Sequence, residues 1–322
     1  MPRLLIVKTS SLGDVVHNLP IVEDIRAQHP DMVIDWLVEE AFADIPALHP
    51  AIDRVIPVAI RRWRKQLFQG STWQEIGAMR AQIKRHDYDL VLDTQGLLKS
   101  ALLCCLATRT RHGQDRRSAR EPLAACFYQR RHASAKGQHA VIRNRALAAA
   151  AFGYAMPEAL PDYGLRTVAS RPSASDGMSY VVGLHATSRD SKLWPVDRWI
   201  RLGRHLASLE LSLLLPWGNE TERQRAQQIA EAVPHASVLP RMSLHELAAV
   251  LAGARAAIGV DTGLVHLAVA LGLPTIALYT DTDPRLTGIY PGAGGQAINL
   301  GGQDAAPDTE LVIATVNDLL ST

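Results

Sequence analysis

The sequence predicts an α/β protein with two doubly wound parallel-sheet domains that face a central cleft. Short apolar runs alternate with segments of helical spacing along the first half of the chain, a pattern typical of parallel sheets covered by helices. The same alternation restarts after a polar segment. The total of 322 residues also suits two cores of roughly 150 residues better than one.

The predicted first domain spans residues 1–165 and begins with a strand. Each predicted strand is a short aliphatic run, and each predicted helix has apolar residues three and four positions apart. The predicted strands are residues 4–8, 33–38, 55–58 and 90–93, and the predicted helices are residues 15–28, 42–48, 73–86 and 97–106. Residues 166–178 are rich in Ser and Pro and lack periodicity, which predicts a linker.

The predicted second domain, residues 179–307, repeats the pattern. Its predicted strands are residues 180–184, 211–215, 237–239, 256–260 and 275–279, and its predicted helices are residues 196–209, 220–232, 244–252 and 264–271. Residues 308–322 form a separate C-terminal helix that is free to pack back on the first domain. Ligands of such sheets bind beyond the carboxyl ends of the strands, so the loops after the strands are the candidate sites.

Composition excludes several classes of protein. Apolar residues make up 47% and charged residues 20% of the chain, an ordinary globular balance. No apolar run reaches the roughly 18 residues of a membrane span, and the apolar start is too short for a signal peptide, so we expect a cytosolic protein. Three cysteines without metal-ligand spacing predict reduced structural thiols and no metal site.

The net charge of +2 conceals an uneven distribution. Residues 1–165 contain 22 Lys and Arg against 17 Asp and Glu, whereas residues 166–322 contain 12 against 15. Ten basic residues lie between Arg109 and Arg145, and residues 61–65 form a second basic cluster. These clusters predict an anionic partner, which is nucleic acid, an acidic membrane surface or an acidic substrate. A solvated basic face is the equally weighted alternative.

The most informative motif lies where the predicted strand 256–260 turns into a helix. Asp261, Thr262 and Gly263 make this turn, so free backbone N–H groups and the positive end of a helix dipole meet at one point. Such a point is a natural phosphate site. Asp261, Thr262 and His266 lie close enough to contact whatever the phosphate carries.

Another loop of the second domain, residues 185–195, complements this phosphate site. Thr187 and Ser188 offer hydroxyl groups, and Lys192 offers a point charge. Hydroxyl donors and one ammonium group suit a diphosphate whose charge grows as it leaves. Residues 216–222 and 241–243 follow two further strands, and they fit a ribose and a base more weakly, with ordinary helix-capping loops as the default interpretation.

The loop after the first strand, residues 8–14, contains Thr, Ser and Gly but neither of the glycine-rich nucleotide motifs. It ends at Asp14, for which the sequence leaves two interpretations. Asp14 either caps the following helix or presents its carboxylate to the cleft as a general base.

These pieces together resemble a known family. They are residues 6–15, 35–40, 55–65, 93–100, 185–195 and 261–266, and they span nearly the whole chain. The chain resembles the bacterial lipopolysaccharide heptosyltransferases of glycosyltransferase family 9, which are inverting enzymes with the GT-B fold of two Rossmann-like domains. The first piece and the cluster at residues 61–65 favour the members that add the first heptose over those that add the second.

The resemblance implies a role for each candidate residue. Asp14 is the implied catalytic base. The implied donor-binding residues are Thr187, Ser188, Lys192, Glu222, Met242, Asp261, Thr262, Gly263 and His266. Among them, Asp261 would contact heptose hydroxyls, Glu222 the ribose and Met242 the adenine; Ser188 stands where the family often has Thr. The implied acceptor-binding residues are Ser11, Gly13, Arg61, Arg62, Arg64, Lys65, Gln95, Lys99 and Arg120.

The implied reaction moves L-glycero-D-manno-heptose from ADP-heptose to the first Kdo of Kdo2-lipid A. It implies no metal and no cofactor, no nucleic-acid partner, and peripheral contact with anionic lipid on the cytoplasmic face of the inner membrane. Three alternatives stay open. They are a related enzyme such as the second heptosyltransferase or a sugar epimerase, a nucleotide-dependent oxidoreductase, which the missing glycine motif disfavours, and a non-enzymatic membrane or nucleic-acid adaptor.

Overall fold

The computed structural model describes residues 1–107, 110–165 and 178–321. The chain divides into two compact units, Met1–Gly164 and Leu165–Thr322, and each unit contains one six-stranded parallel sheet. The predicted α/β class is therefore confirmed. The predicted linker, residues 166–178, lies outside the described residues except for its last position.

The first unit follows the predicted alternation, with additional elements after residue 109. Its elements are β1 Arg3–Val7, α1 Leu12–Val16, α2 Pro20–Gln28, β2 Val33–Glu39, α3 Asp44–Ala47, β3 Arg54–Val58, α4 Ile60–Trp63, α5 Gly70–Lys84, β4 Leu90–Asp93, α6 Leu98–Cys104, β5 Thr110–Gln114, β6 Arg130–His132 and α7 Ala140–Phe152.

The second unit is close to its prediction. Its elements are β7 Tyr180–Leu184, α8 Val196–Ser208, β8 Ser212–Leu215, α9 Glu220–Glu231, β9 Ala236–Val238, α10 Leu244–Gly253, β10 Ala256–Val260, α11 Gly263–Ala270, β11 Thr275–Tyr279, α12 Pro284–Thr287, β12 Ala297–Gly301 and α13 Thr309–Ser321.

Each sheet reverses its strand order once. The first sheet has the order β3-β2-β1-β4-β5-β6 and the second has the order β12-β11-β10-β7-β8-β9. The reversal lies between β1 and β4 in the first sheet and between β7 and β10 in the second. At such a switch point, the two following loops diverge and leave a crevice at the carboxyl edge. The loops after β1 and β4, and those after β7 and β10, therefore form the two candidate sites.

Burial explains why the central strands formed as predicted. Residues Leu4 to Val7 of β1 have no exposed surface, as expected for a parallel strand covered on both faces. The core of the second unit includes Trp194 and Trp199, whose rings meet edge to face at 5.5 Å. Val312 and Leu319 of α13 belong to the same core. The sequence sets α13 apart from the second domain, whereas the structure includes it there.

The first helical prediction, residues 15–28, is wrong in detail, because two helices cover this region. Pro20 lacks a backbone N–H and begins α2, where a missing donor costs nothing. The strands β5, β6 and β12 and the helix α7 are absent from the prediction. The sequences of β5 and β6, Thr110–Gln114 and Arg130–His132, are mostly polar and basic, so they lack the apolar run that reveals a buried strand.

Candidate active site

In the second unit, the switch-point loops bring three predicted residues together. The Lys192 ammonium lies 2.6 Å from Oδ2 of Asp261, and the Thr187 hydroxyl donates to the Asp261 carbonyl at 2.8 Å. Both charged side chains are mostly buried, at 19% and 15% exposure. The loops after β7 and β10 are thereby joined by one ion pair and one hydrogen bond.

The start of α11 lies directly beside this ion pair. Thr262 is the N-cap residue, with extended backbone, and its side chain makes no capping hydrogen bond. The Val265 N–H donates to the Thr262 carbonyl at 3.3 Å, whereas the N–H groups of Gly263 and Leu264 keep their capacity to bind an anion. His266 lies farther along α11 and is 6% exposed. An ammonium group, a hydroxyl and helix N–H groups converge here, which suits a diphosphate.

The remaining predicted donor residues follow along the same sheet edge. The strands β10, β7, β8 and β9 lead, in that order, to Asp261, Thr187, Glu222 and Met242. Glu222 lies in the first turn of α9, and the other three lie on the loops that follow their strands. Neighbouring strands lie about 4.8 Å apart, so the edge offers a track of roughly 15 Å, the length of an extended nucleoside diphosphate. Ser188 is exposed on the second of these loops.

The Glu222 carboxylate is already engaged within its own loop. It accepts hydrogen bonds from the Gly218 backbone N–H at 2.7 Å and from the Asn219 amide at 2.8 Å. The Trp217 indole N–H donates to the Leu239 carbonyl at 2.7 Å. The loops after β8 and β9 are thus joined to each other, and Glu222 holds the loop after β8 in shape.

Arg225, which has no role among the sequence predictions, braces the loop at residues 185–195. From α9, its guanidinium donates through Nε to the His185 carbonyl at 3.3 Å and through Nη2 to the Trp194 carbonyl. Burial lowers the pKa of Arg225 and holds the pKa of the buried His185 at about 4, so that imidazole is neutral. No local motif reveals this contact, because the arginine lies 40 and 31 residues from the two carbonyls.

We expect Arg225→Met to raise KM for the predicted donor by roughly tenfold. The two carbonyls lose a charged donor worth about 1.5–3 kcal/mol each, but this loss falls mainly on the stability of the loop and only partly on binding. The value of kcat should change less, since the arginine does not reach the reacting atoms. Arg223→Met on the same helix is the matched control, because the Arg223 guanidinium pairs with Glu220 of its own helix. Steady-state kinetics measure both; equal effects of the two changes would contradict the bracing role.

In the first unit, Asp14 stands at the switch point between β1 and β4. Its Oδ2 accepts hydrogen bonds from the Ser11 backbone N–H at 3.0 Å and from the Ser11 hydroxyl at 3.1 Å. The Arg120 guanidinium lies 3.5 Å from the same oxygen. Asp14 therefore does cap α1, and its side chain also keeps 17% exposure. The two interpretations left open by the sequence are compatible.

Neighbouring cations set the charge of Asp14. Burial favours the neutral acid, but the charges of Lys8 and Arg120 and the Ser11 hydrogen bonds outweigh it and lower the pKa of Asp14. Lys8 is 5% exposed, and its ammonium donates to the Thr94 carbonyl at 3.0 Å. Lys8 has no role among the sequence predictions, although a lysine directly after a buried strand at a switch point was a usable signal.

Replacing Lys8 by Met should raise the pKa of Asp14, because the largest charge that favours its ionised form is removed. The acidic limb of the pH profile of kcat/KM should then move to higher pH, while kcat at neutral pH changes little. Lys99→Met, which removes a lysine at the start of the neighbouring helix α6, is the control and should leave the limb in place. A limb unchanged by Lys8→Met would contradict the electrostatic role.

Three other predicted residues, Gln95, Lys99 and Gly13, lie close to Asp14 or to the loop that precedes it. Gln95 is 2% exposed, and its amide oxygen accepts the backbone N–H groups of Thr9 and Ser10 at 3.1 and 3.2 Å. Gln95 therefore joins the loops after β4 and β1. The Lys99 ammonium reaches the Ser10 hydroxyl at 3.4 Å and is brought to the same place. Gly13 lies on α1 beside Asp14.

The basic cluster at residues 61–65 follows β3 and lies on and after α4. Arg62 is held between Glu40 and Glu75, at 2.9 Å from each, so its charge is already balanced. Arg61 lies over the Phe42 ring at 5.6 Å. Arg64 and Lys65 are exposed. Arg62 thus differs from Arg61, Arg64 and Lys65 in having two carboxylate partners. The expectation that all four cations face an acidic ligand stays a prediction.

Comparison with known proteins identifies the family. The model of glycosyltransferase family 9 (heptosyltransferase) matches residues 76–312, most of the chain. The chain belongs to glycosyltransferase family 9. The resemblance inferred from the motifs is confirmed, and the family 9 chain is a glycosyltransferase.

Individual relatives agree with the family assignment. The family 9 chain is 50% identical to lipopolysaccharide heptosyltransferase 1 of Pseudomonas aeruginosa over 289 residues, which cover 89% of this chain and 81% of the relative. Its structure is similar to that of E. coli heptosyltransferase WaaC with ADP, with a TM-score of 0.92, 44% identity and coverage of 98% and 99% of the two chains. For WaaC with ADP-2-deoxy-2-fluoro heptose, the TM-score is 0.89 at 43% identity and the same coverage.

The described residues also bear on the expectations of no membrane-spanning helix and no metal site. Within residues 1–107, 110–165 and 178–321, no helix has the length and apolar character needed to cross a membrane. In the same ranges, no three His, Cys, Asp or Glu side chains are grouped so that they could hold a metal ion. Chemistry without a metal or cofactor stays a prediction.

Proposed function

We propose that this enzyme transfers heptose from ADP-heptose to the first Kdo of Kdo2-lipid A, with inversion, in assembly of the lipopolysaccharide inner core. The observation that carries the proposal is the joined set of Lys192, Asp261 and Thr187 beside the start of α11. Relatives whose names state heptose transfer, and a similar structure whose title names an ADP-heptose analogue, support the choice of donor.

The donor end of the mechanism rests on charge. The diphosphate of ADP-heptose takes the N–H groups at the start of α11 and the Lys192 ammonium as its partners, and it gains the Thr187 hydroxyl when that group turns from the Asp261 carbonyl. As the bond between the anomeric carbon and the diphosphate oxygen breaks, negative charge grows on ADP, and Lys192 stabilises it. Asp261 pairs with Lys192 before the donor binds, and its carboxylate then accepts hydrogen bonds from the heptose hydroxyls. The proposed reaction uses no metal.

The acceptor end supplies the base. Asp14 is ionised at neutral pH because its pKa is lowered by Lys8, Arg120 and Ser11 in spite of burial. It removes the proton from a Kdo hydroxyl as that oxygen attacks the anomeric carbon, and a single in-line displacement inverts the configuration. Arg120, Lys99 and the exposed cations after β3 attract the carboxylates and phosphates of the acceptor. The enzyme works at the cytoplasmic face of the inner membrane as a peripheral protein.

A transfer assay with two acceptors tests this proposal. Purified enzyme is given ADP-heptose with Kdo2-lipid A, or with the same lipid already carrying one heptose, and products are read by mass spectrometry. We expect one heptose to be added to the first acceptor only. Thermal shifts with ADP, UDP and GDP, with ADP giving the largest, test the nucleotide. Transfer only to the heptosylated lipid would assign the enzyme to the second step instead.

A further inference from the structure

The segment between α4 and α5, together with the start of α5, carries an unusual concentration of exposed apolar side chains within residues 64–73. Leu67 is 47% exposed, Trp73 is 61% exposed and Phe68 is fully exposed at 106%. Exposed apolar residues that stand singly are ordinary on protein surfaces. Three within seven positions, two of them aromatic, form a local apolar surface that folding alone does not explain.

The backbone of this segment is held in a defined shape. The Trp73 indole N–H donates to the Leu67 carbonyl at 2.9 Å, and the Thr72 hydroxyl donates to the Gln66 carbonyl at 2.9 Å. The Gln69 backbone N–H donates to the same Gln66 carbonyl at 3.0 Å. The indole N–H is therefore already satisfied, so the Trp73 ring can enter an apolar phase without leaving a polar group unpaired.

Basic residues border this apolar surface. Arg61, Arg64 and Lys65 are exposed, and no Asp or Glu occurs between residues 61 and 74. The carboxylates of Glu40 and Glu75, which lie beside this segment, are bound to Arg62. Aromatic and aliphatic side chains beside exposed cations are the composition that binds the interface of an anionic bilayer.

The position of the segment favours lipid over a protein partner. A stable protein interface needs roughly 800 Å² on each side, far more than three side chains at the tip of one connection provide. The segment follows β3, and β3 and β1 run parallel in one sheet, so it lies at the same carboxyl edge as Asp14. Contact with a bilayer here turns the acceptor edge of the first unit toward the membrane.

We propose that residues 64–73 dock the enzyme on the membrane by inserting Leu67, Phe68 and Trp73 among anionic lipid headgroups while Arg61, Arg64 and Lys65 bind their phosphates. The partner is the anionic bilayer itself, and the acceptor that these cations also attract is one lipid within that bilayer. The inference rests on the proposed function only for the placement of the acceptor in a membrane, because exposure and charge argue for lipid contact independently.

Vesicle co-sedimentation tests the docking directly. Full-length enzyme is mixed with vesicles of phosphatidylethanolamine and phosphatidylglycerol that contain no sugar acceptor. We expect the double variant Leu67→Ser/Phe68→Ser to bind at least about tenfold more weakly than the unchanged protein, since two apolar side chains no longer enter the interface. Leu123→Ser/Leu160→Ser, which alters exposed leucines elsewhere in the first unit, is the matched control and should bind normally. Equal binding by all three proteins would overturn the proposal.

Two further measurements separate this inference from the proposed function and from self-association. With a soluble, deacylated Kdo acceptor, the Leu67→Ser/Phe68→Ser variant should keep the unchanged transfer rate. If no Kdo acceptor is used by any protein but vesicle binding still depends on Leu67 and Phe68, the proposed function fails and the docking stands. If the variant instead changes only the oligomeric state measured by sedimentation velocity, the surface binds a second copy and the lipid proposal is wrong.

Discussion

Replacing Asp14 by Asn is expected to lower kcat by roughly 10²–10⁴-fold, the usual contribution of a positioned general base, while ADP affinity stays unchanged. Asn preserves the size of the side chain and can still accept the Ser11 N–H bond that caps α1, so the fold of the switch loop should persist. What it loses is the capacity to take a proton. Asp14→Ala should lower kcat at least as much, to a rate that the assay no longer detects.

The structure supplies the control for this expectation. Ser11→Ala removes the hydroxyl that donates to Oδ2 of Asp14 at 3.1 Å but leaves the carboxylate. It should weaken activity only slightly, with a small rise in the pKa of Asp14. ADP binding, measured by calorimetry, should be the same in all these variants, since the donor residues belong to the other unit. Unchanged turnover in Asp14→Asn would remove this carboxylate from the role of base.

The pKa of Asp14 predicts the form of the pH profile. An ordinary aspartate titrates near pH 3.9, and this one is lowered further, by Lys8, Arg120 and Ser11 against the effect of burial. The base is therefore already ionised throughout the neutral and mildly acidic range, and activity that depends on it falls only at a pH lower than that at which an ordinary aspartate titrates. An acidic limb near pH 6 in the profile of kcat/KM, present in the unchanged protein and absent in Asp14→Asn, would contradict the lowered pKa of Asp14.

Individual elements show how much of the fold could be predicted from sequence. The strands β4, β7, β10 and β11 begin and end where predicted, because a buried parallel strand must be a continuous apolar run bounded by turn residues. The strands β5 and β6 lack that run, and their basic side chains suggest only a charge cluster. Their place in the sheet depends on pairing with β4 and with each other, which no local pattern encodes.

The candidate site shows the same division at the level of side chains. The loops after β1, β7 and β10 could be found from strand position alone, since the carboxyl edge of a parallel sheet is where ligands bind. The contacts between the side chains of these loops could not be predicted in this way. Lys192 and Asp261 are 69 residues apart, and Arg62 meets Glu40 and Glu75 across 22 and 13 residues. Such pairings follow from the folded topology, so sequence reasoning assigned these charges to ligands and missed that they also bind one another.

Replacing Lys192 by Met is expected to lower kcat/KM for the donor by roughly 10²–10³-fold, the usual effect of losing one group that stabilises growing charge in a transition state. ADP affinity should fall as well. Part of that fall has a specific cause, because Asp261 would lose the ammonium that lies 2.6 Å from it. Its carboxylate would then be an unbalanced negative charge beside the diphosphate.

The double variant Lys192→Met/Asp261→Asn separates these two causes. The introduced asparagine has no charge, so repulsion of the diphosphate disappears, and ADP affinity should recover the part that this repulsion removed but not the part that the Lys192 ammonium supplied. Turnover should not recover, because nothing stabilises the departing diphosphate and the proposed contact of Asp261 with the heptose hydroxyls is weakened. Calorimetry with ADP and steady-state kinetics with ADP-heptose give the two readouts.

The single variant Asp261→Asn decides whether the ion pair restrains the donor site. Before the donor arrives, Lys192 is neutralised by Asp261, and a diphosphate must compete with that carboxylate for the same ammonium. Removing the carboxylate frees Lys192, so ADP, which carries no heptose, should bind as tightly as before or more tightly. Heptose transfer should nevertheless slow down. If ADP binding weakened as much as in Lys192→Met, the ion pair would be a structural requirement of the loop, and its proposed exchange for the diphosphate would be wrong.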